Sequence, residues 1–190
     1  HLGTDMLLTG VPRSGTTLAC KLLCEFPNIV ALNEPMDRQF FSTPKDAESA
    51  IANHFKHFRR SLYFDGTALA RTRDGQIVDN AFAENNEADR KRVINRSQVS
   101  FEKPLSADFT LPMKHCAEFT LILPALKDYY FLFALIRNPL AALASRPSVN
   151  VRVSRGNVAK SARLNTEFLV RLSDLPPSLL TTWFVCSFLF

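Results

Sequence analysis

The sequence has few of the residues that build several common kinds of site. Its four cysteines, Cys20, Cys24, Cys116 and Cys186, lack the spacing of zinc ligands, and no histidines stand where they would complete such a site. Cys20 and Cys24 lie four residues apart in a predicted helix, so we expect small core residues in a reducing compartment rather than a disulfide. The net charge of +5 is mild and suits an anionic ligand, without indicating nucleic acid.

The chain also lacks signals for export or for crossing a membrane. No secretory signal peptide stands at its start, and the apolar tail at residues 179–190 is too short to span a bilayer. We therefore expect a cytoplasmic protein with no membrane span in these residues. The length indicates a single domain over residues 1–190. Both ends look like those of a fragment, and we expect the domain to be incomplete at its C-terminus.

Among the residues that are present, the most informative are Gly10-Val11-Pro12-Arg13-Ser14-Gly15-Thr16-Thr17, which follow a short apolar run. Their spacing is that of a phosphate-binding P-loop, but Thr16 occupies the place of the lysine. The two glycines permit a tight turn of backbone N–H groups around an anion, and the next helix points its positive N-terminus there. The segment predicts a cradle for a phosphate-like group other than the triphosphate of ATP or GTP.

Hydrophobic periodicity predicts an α/β fold with a parallel sheet. Strands are predicted at residues 5–11, 29–32, 109–113 and 130–136, and the last is apolar enough to be buried on both faces. Helices are predicted at 16–26, from 43 to about 62, and at 117–127, 139–145, 158–172 and 177–189, and the second opens with Thr43 as N-cap and Pro44 as its first helical residue. The apolar stripe of the first helix is Leu18, Ala19, Leu22, Leu23 and Phe26, and that of the second is Ala47, Ala50, Ile51, His54, Phe55, Phe58 and Leu62. Asp74-Gly75 is a turn signal for a hairpin between residues 68–72 and 76–79. The run Arg90-Lys91-Arg92 is expected to be a solvated helix face.

Polar residues stand where the predicted strands end. Arg13 follows the first strand, Glu34 the second, Lys114-His115 the third and Arg137 the fourth. Ligands of open parallel sheets bind beyond the carboxyl ends of the strands. The sequence therefore places the glycine loop, two further cations and a carboxylate along one edge of the sheet.

Arg137 and Ser145 stand eight residues apart, at a strand tip and in the following helix, where a guanidinium fork and a hydroxyl can grip one more phosphate. Together with the lysine-free P-loop, this pair resembles the sulfotransferase family that uses 3′-phosphoadenosine 5′-phosphosulfate (PAPS). The residues from Val11 to Leu18 look most like the branch that contains tyrosylprotein and many bacterial sulfotransferases. The resemblance spans roughly residues 5–146.

The resemblance implies a P-loop-NTPase-like three-layer fold with a central parallel sheet flanked by helices. It also implies that Arg137 and Ser145 hold the 3′-phosphate of PAPS, and that the 5′-phosphosulfate is held by Pro12, Arg13, Ser14, Gly15, Thr16 and Thr17. No metal is required, because the cations and the loop amides supply the positive field.

For catalysis, Glu34 resembles the general base of the tyrosylprotein branch, which removes the proton of the acceptor hydroxyl. Lys114 and Arg13 would neutralise charge that develops on the sulfuryl group. His115 is the alternative base, although neighbouring strand residues point to opposite faces. Glu34 has a structural alternative, which is to hold a nearby arginine. The acceptor stays open among a sugar, a lipid, a peptide tyrosine and a small alcohol, and the oligomeric state is not readable.

Two other functions fit part of the pattern. A non-catalytic domain that binds adenosine phosphates, derived from the enzyme, would share every loop and differ only in turnover. A P-loop kinase or NTPase would need a lysine at position 16 and an acidic residue at a strand tip to hold Mg²⁺. The predicted strands end in Lys114 and Arg137 instead, which disfavours the kinase.

Overall fold

The computed structural model describes residues 4–37, 43–83, 90–145, 148–149 and 170. The strands in this part of the chain are β1 (Asp5–Gly10), β2 (Leu32–Asn33), β3 (Thr67–Thr72), β4 (Asn95–Ser100), β5 (Leu111–Lys114) and β6 (Phe131–Leu135). The helices are α1 (Thr16–Glu25), α2 (Pro44–Asp65), α3 (Cys116–Leu121), α4 (Leu123–Leu126) and α5 (Pro139–Ser145). The helices predicted at 158–172 and 177–189 lie outside the described residues, apart from Val170, which is helical.

Four strands form a parallel sheet in the order β2-β5-β1-β6. Within it, Met6 of β1 stands opposite Pro112 of β5 on one side and Phe131 of β6 on the other. Because all four strands run the same way, their carboxyl ends share one edge. The predicted α/β class is confirmed, as a four-stranded parallel sheet flanked by helices.

The main core lies between this sheet and α2. The helix begins after Thr43 with Pro44 in its first turn and ends at Gly66, whose φ of 64° is left-handed. Its predicted apolar stripe is confirmed, and the buried members are Ala47, Ile51, Phe55, Phe58 and Leu62. They pack against side chains of the sheet and of the α3–α4 region, which include Leu7, Leu32, Phe109, Leu111, Met113 and Phe119. Each large side chain that is buried in this way contributes about 1.5–3 kcal/mol.

The apolar stripe predicted for the first helix is partly wrong. Cys20 is fully buried, but Leu18, Leu22 and Phe26 are exposed. Cys20 packs with Leu8 of β1 and with Ala31. The helix therefore approaches the sheet through a small side chain, and this rotates the larger leucines towards solvent.

The helix predicted at 117–127 is broken in two, and Ile122 separates α3 from α4. Pro124 explains the break, because proline has no N–H for the helical ladder and its ring clashes with the carbonyl four residues earlier. The expected burial of the fourth strand on both faces is also wrong. In the described part of the chain, β6 pairs with β1 alone, and Phe131 and Phe133 are 66% and 49% exposed.

β3 and β4 form a separate antiparallel ribbon. The turn at Asp74-Gly75 is confirmed, with φ values of 52° and 75° and paired backbone hydrogen bonds between Arg73 and Gln76. The predicted strand at 76–79 is wrong beyond that single bridge, because β3 pairs with β4 instead. Among the described residues, no helix combines the length and apolar character needed to cross a membrane.

Candidate functional site

The 10–17 segment forms a tight turn between β1 and α1. Gly10, Arg13 and Gly15 have φ values of 146°, 80° and 92°. A Cβ on Gly10 would lie 2.5 Å from the backbone oxygen of Leu135 in β6, so only glycine fits there. A Cβ on Gly15 would meet nothing within 4 Å. The turn is therefore packed closely against β6 at Gly10, whereas the space beside Gly15 is open.

Two hydroxyl groups of the segment differ in their surroundings. Ser14 Oγ is buried, and within the described residues it has no hydrogen-bond partner. Thr16 Oγ1 is buried as well, but it lies 3.3 Å from Cys116 Sγ. Pro12 and Thr17 are half-buried beside them. A buried polar group without a partner costs about 1–3 kcal/mol, and a ligand in the turn would recover this for Ser14.

The structure brings Arg13, Arg137 and Ser145 together at the sheet edge. Arg13 Nε donates a hydrogen bond to Ser145 Oγ at 3.1 Å, and its guanidinium carbon lies 4.9 Å from the centre of the Phe82 ring. Arg137 Nη1 donates to the backbone oxygen of Arg13 at 3.1 Å. The spacing of Arg137 and Ser145 comes from α5, which begins with the side chain of Asn138 accepting the N–H of Leu140.

Arg90 joins these residues, and we call Arg13, Arg90 and Arg137 the arginine cluster. Burial lowers the pKa of Arg13, and the charges of Arg90 and Arg137 lower it further. In the part of the chain that the structure describes, no carboxylate lies within 4.0 Å of any of the three guanidinium groups. The cluster is therefore a concentration of positive charge suited to an anion.

Glu34 is the centre of a second group of charges. Its Oε1 lies 3.1 Å from Lys114 Nζ, and its Oε2 lies 2.8 Å from Arg71 Nε and 3.1 Å from Arg92 Nη2. Lys114 Nζ also donates to Asn33 Oδ1 at 3.1 Å. The backbone places the carboxylate here, since Glu34 follows β2 with a φ of 45° and its N–H donates to the oxygen of Lys114.

The pKa values of this second group follow from its charges. Burial raises the pKa of Glu34, but the charges of Lys114 and Arg92, with others, outweigh burial and hold it well below its ordinary value. Burial lowers the pKa of Lys114, but the charges of Cys116 and Glu34, with others, outweigh burial, so the pKa of Lys114 is raised. Glu34 is thus ionised and is a weak base in this arrangement. The alternative role predicted for Glu34, which is to hold a nearby arginine, agrees with its contacts to Arg71 and Arg92.

His115 follows Lys114 as the residue before α3, and both of its ring nitrogens face polar groups. Its Nε2 accepts the backbone N–H of Met36 at 3.3 Å, and its Nδ1 lies 3.7 Å from Glu118 Oε2. The ring is buried and meets Phe119 edge to face. With one nitrogen accepting and the other facing a carboxylate, His115 has a structural role.

Sequence reasoning missed Arg71, Arg90 and Arg92. The helix expected at 90–92 is wrong, because these residues form bridges from Arg92 to Phe82 and from Arg90 to Val149, although Lys91 and Arg92 are exposed as expected. Alternate residues of an extended segment share a face, so the spacing of Arg90 and Arg92 was the available signal. Nothing local pointed to Arg71, whose partner is distant in sequence.

A comparison with protein-family models finds no match, and a comparison with curated proteins also finds none. Within the described ranges, no three His, Cys, Asp or Glu side chains come together in a way that could hold a metal ion.

Proposed function

We propose that this chain is a sulfotransferase that moves a sulfuryl group from PAPS to a hydroxyl acceptor. The observation that supports this most is the pair of charge groups at the ends of parallel strands. One is the arginine cluster with Ser145, which is positive and has no carboxylate among its described neighbours. The other is the ion pair of Glu34 with Lys114, which sets a carboxylate and an ammonium group 3.1 Å apart.

In this proposal the 10–17 segment binds the 5′-phosphosulfate and Arg137 with Ser145 binds the 3′-phosphate. The residues fit such a ligand in two respects. Ser14 Oγ is buried and lacks a described partner, and the space beside Gly15 is open. Because a P-loop-like segment that lacks its lysine is poorly equipped for a triphosphate, the fit favours a sulfated nucleotide over ATP.

The reaction would be an in-line displacement at sulfur. The acceptor oxygen forms a bond to sulfur while the bond from sulfur to the 5′-phosphate oxygen breaks, and adenosine 3′,5′-bisphosphate leaves. Glu34 takes the proton of the acceptor hydroxyl, and Lys114 stabilises the negative charge that develops near sulfur. Arg13 contacts Ser145 in the structure, so we assign its side chain first to the phosphates.

A second candidate is a domain that binds the nucleotide without turnover. The ion pairs of Glu34 with Lys114, Arg71 and Arg92 favour it, because a carboxylate held by three cations is a weak base. The two candidates share the nucleotide site and differ only in whether a hydroxyl acceptor becomes sulfated.

Calorimetry tests the nucleotide site that both candidates share. We expect adenosine 3′,5′-bisphosphate to bind much more tightly than 5′-AMP or ATP. Arg137→Ala should weaken binding of the bisphosphate about 10- to 150-fold, because it removes one charge-assisted hydrogen bond. Arg60→Ala on the exposed side of α2 is the matched control and should change nothing. Equal affinity of the unmodified protein for the bisphosphate and 5′-AMP would refute the proposed donor. Sulfation of an acceptor panel then separates enzyme from binding domain.

A further inference from the structure

We propose that Arg90 is a specificity residue that binds the 3′-phosphate of the donor together with Arg137 and Ser145. This inference rests on the proposed function and adds to it a residue from outside the two motifs of the sequence. Two observations support it, the position of Arg90 and the charge around it, and the backbone contacts of Arg90 make it testable.

The position of Arg90 is fixed by contacts that lead to Ser145. Arg90 Nη2 donates to Ser148 Oγ at 3.0 Å, and its Nε donates to the backbone oxygen of Ser148 at 3.3 Å. Ser148 Oγ in turn donates to the backbone oxygen of Ser145 at 2.7 Å. Ser145 Oγ accepts from Arg13. A single residue, Ser148, therefore links the guanidinium of Arg90 to Ser145, whose hydroxyl is proposed to bind phosphate.

The charge around Arg90 calls for an anion with more than one negative charge. The charge of Arg90 acts on Arg13, on which the charge of Arg137 also acts, and within the described residues none of the three has a carboxylate partner. A phosphate monoester carries about −1.5 to −2 charges near pH 7 and has three acceptor oxygens. Arg137 and Ser145 cannot use all of these acceptors. A second guanidinium fork supplies the donors that the remaining oxygens need.

The backbone of Arg90 already makes the structural connection. Its N–H donates to the oxygen of Ser148 at 3.2 Å, and a parallel bridge joins it to Val149. These backbone contacts add to the two hydrogen bonds that the Arg90 guanidinium donates to Ser148. They remain when the side chain is removed, so the contribution of the guanidinium to binding can be tested in a variant that keeps the backbone connection.

The test compares two ligands in one set of variants. Calorimetry is performed with adenosine 3′,5′-bisphosphate and 5′-AMP on the unmodified protein, Arg90→Ala and Lys91→Ala. We expect Arg90→Ala to weaken the bisphosphate about 10- to 100-fold while 5′-AMP changes less than about twofold. Lys91→Ala removes the same charge from the adjacent, exposed position and should leave both affinities unchanged. Thermal melting without ligand checks that each variant is folded.

Each other outcome has a definite meaning. If Arg90→Ala weakens both ligands equally, or neither, the inference is overturned. If Arg137→Ala abolishes the preference for the bisphosphate but Arg90→Ala does not, the proposed function stands and the role of Arg90 is wrong. If the unmodified protein has no such preference, the proposed donor is wrong and this inference fails with it. Should Arg90→Ala not fold, Arg90→Lys keeps the charge without the fork, and an undiminished preference in that variant would count against the inference.

Discussion

Arg13 Nε and Ser145 Oγ are joined by a hydrogen bond of 3.1 Å, although 132 residues separate them in the chain. The bond connects the turn after β1 to the last residue of α5. The segment that is proposed to bind the 5′-phosphosulfate is therefore in direct contact with the pair that is proposed to bind the 3′-phosphate.

The Arg13–Ser145 bond should be visible as an energetic coupling. We expect Arg13→Ala and Ser145→Ala each to destabilise the protein, and the double variant to be less affected than their sum by about 1–2 kcal/mol, because each single change already removes the shared bond. Urea unfolding of the four proteins of the cycle measures the coupling. A cycle with Ser145→Ala and the remote Arg60→Ala should be additive, and coupling of the same size there would show that the effect is not local.

The two glycines of the turn should fail in different ways. Gly10→Ala places a Cβ 2.5 Å from the backbone of Leu135, so we expect it to destabilise the protein by about 2–4 kcal/mol. A Cβ at position 15 meets no protein atom within 4 Å, so we expect Gly15→Val to cost mainly the strain of its left-handed backbone, about 1–2 kcal/mol. Its side chain would instead occupy the proposed phosphate space. Unfolding and bisphosphate calorimetry on both variants separate the effects, and normal donor binding by a folded Gly15→Val would remove the segment from the phosphate site.

The general base can be identified by comparing Glu34 with His115. If Glu34 takes the proton, Glu34→Gln should keep bisphosphate affinity within a few-fold and lower kcat about 10²- to 10⁴-fold. His115→Ala should reduce stability, since it removes the acceptor for the N–H of Met36, with a much smaller loss of kcat in the folded fraction. The reverse ranking would transfer the role to His115. Binding without turnover in the unmodified protein would favour the non-catalytic candidate.

The ion pairs of Glu34 should make stability fall in acid. Its pKa is lower in the folded protein than in the unfolded chain, where it is about 4.3, so the folded state binds fewer protons. The stabilisation is therefore complete above the unfolded pKa and is lost as pH falls through the folded pKa. Melting temperatures from about pH 7 down to about pH 3 should fall more steeply for the unmodified protein than for Glu34→Gln. Glu48→Gln, at an exposed position of α2, is the control and should follow the unmodified protein.

The sequence predicted the parts of the fold that depend on local patterns. The stripe of α2, its start at Thr43 and Pro44, and the turn at Asp74-Gly75 were all correct. Failures occurred where distant partners decide the outcome. The exposure of Phe133 depends on which strands stand beside β6, and no local pattern contains that information.

In the candidate site, too, local patterns predicted some residues and distant partners decided the others. Glu34, Lys114, Arg137 and Ser145 were found because strand ends and short motifs are visible in one dimension. The arginines that surround Glu34 were missed, because they come from the ribbon and from the 90–92 segment, whose relation to the sheet is set by tertiary contacts. The arginines that pair with Glu34 were thus the part of the site least visible in the sequence.

The carboxylate of Glu34 reaches three parts of the molecule at once: Lys114 of the parallel sheet, Arg71 of the ribbon and Arg92 of the segment beyond it. A proton delivered to this carboxylate would cancel the negative charge that it presents to all three cations. If Glu34 is the base, each turnover would leave the ribbon attached to the sheet less firmly until that proton departs. Proton release to solvent would then be a separate step of the catalytic cycle, with its own rate and its own change in shape.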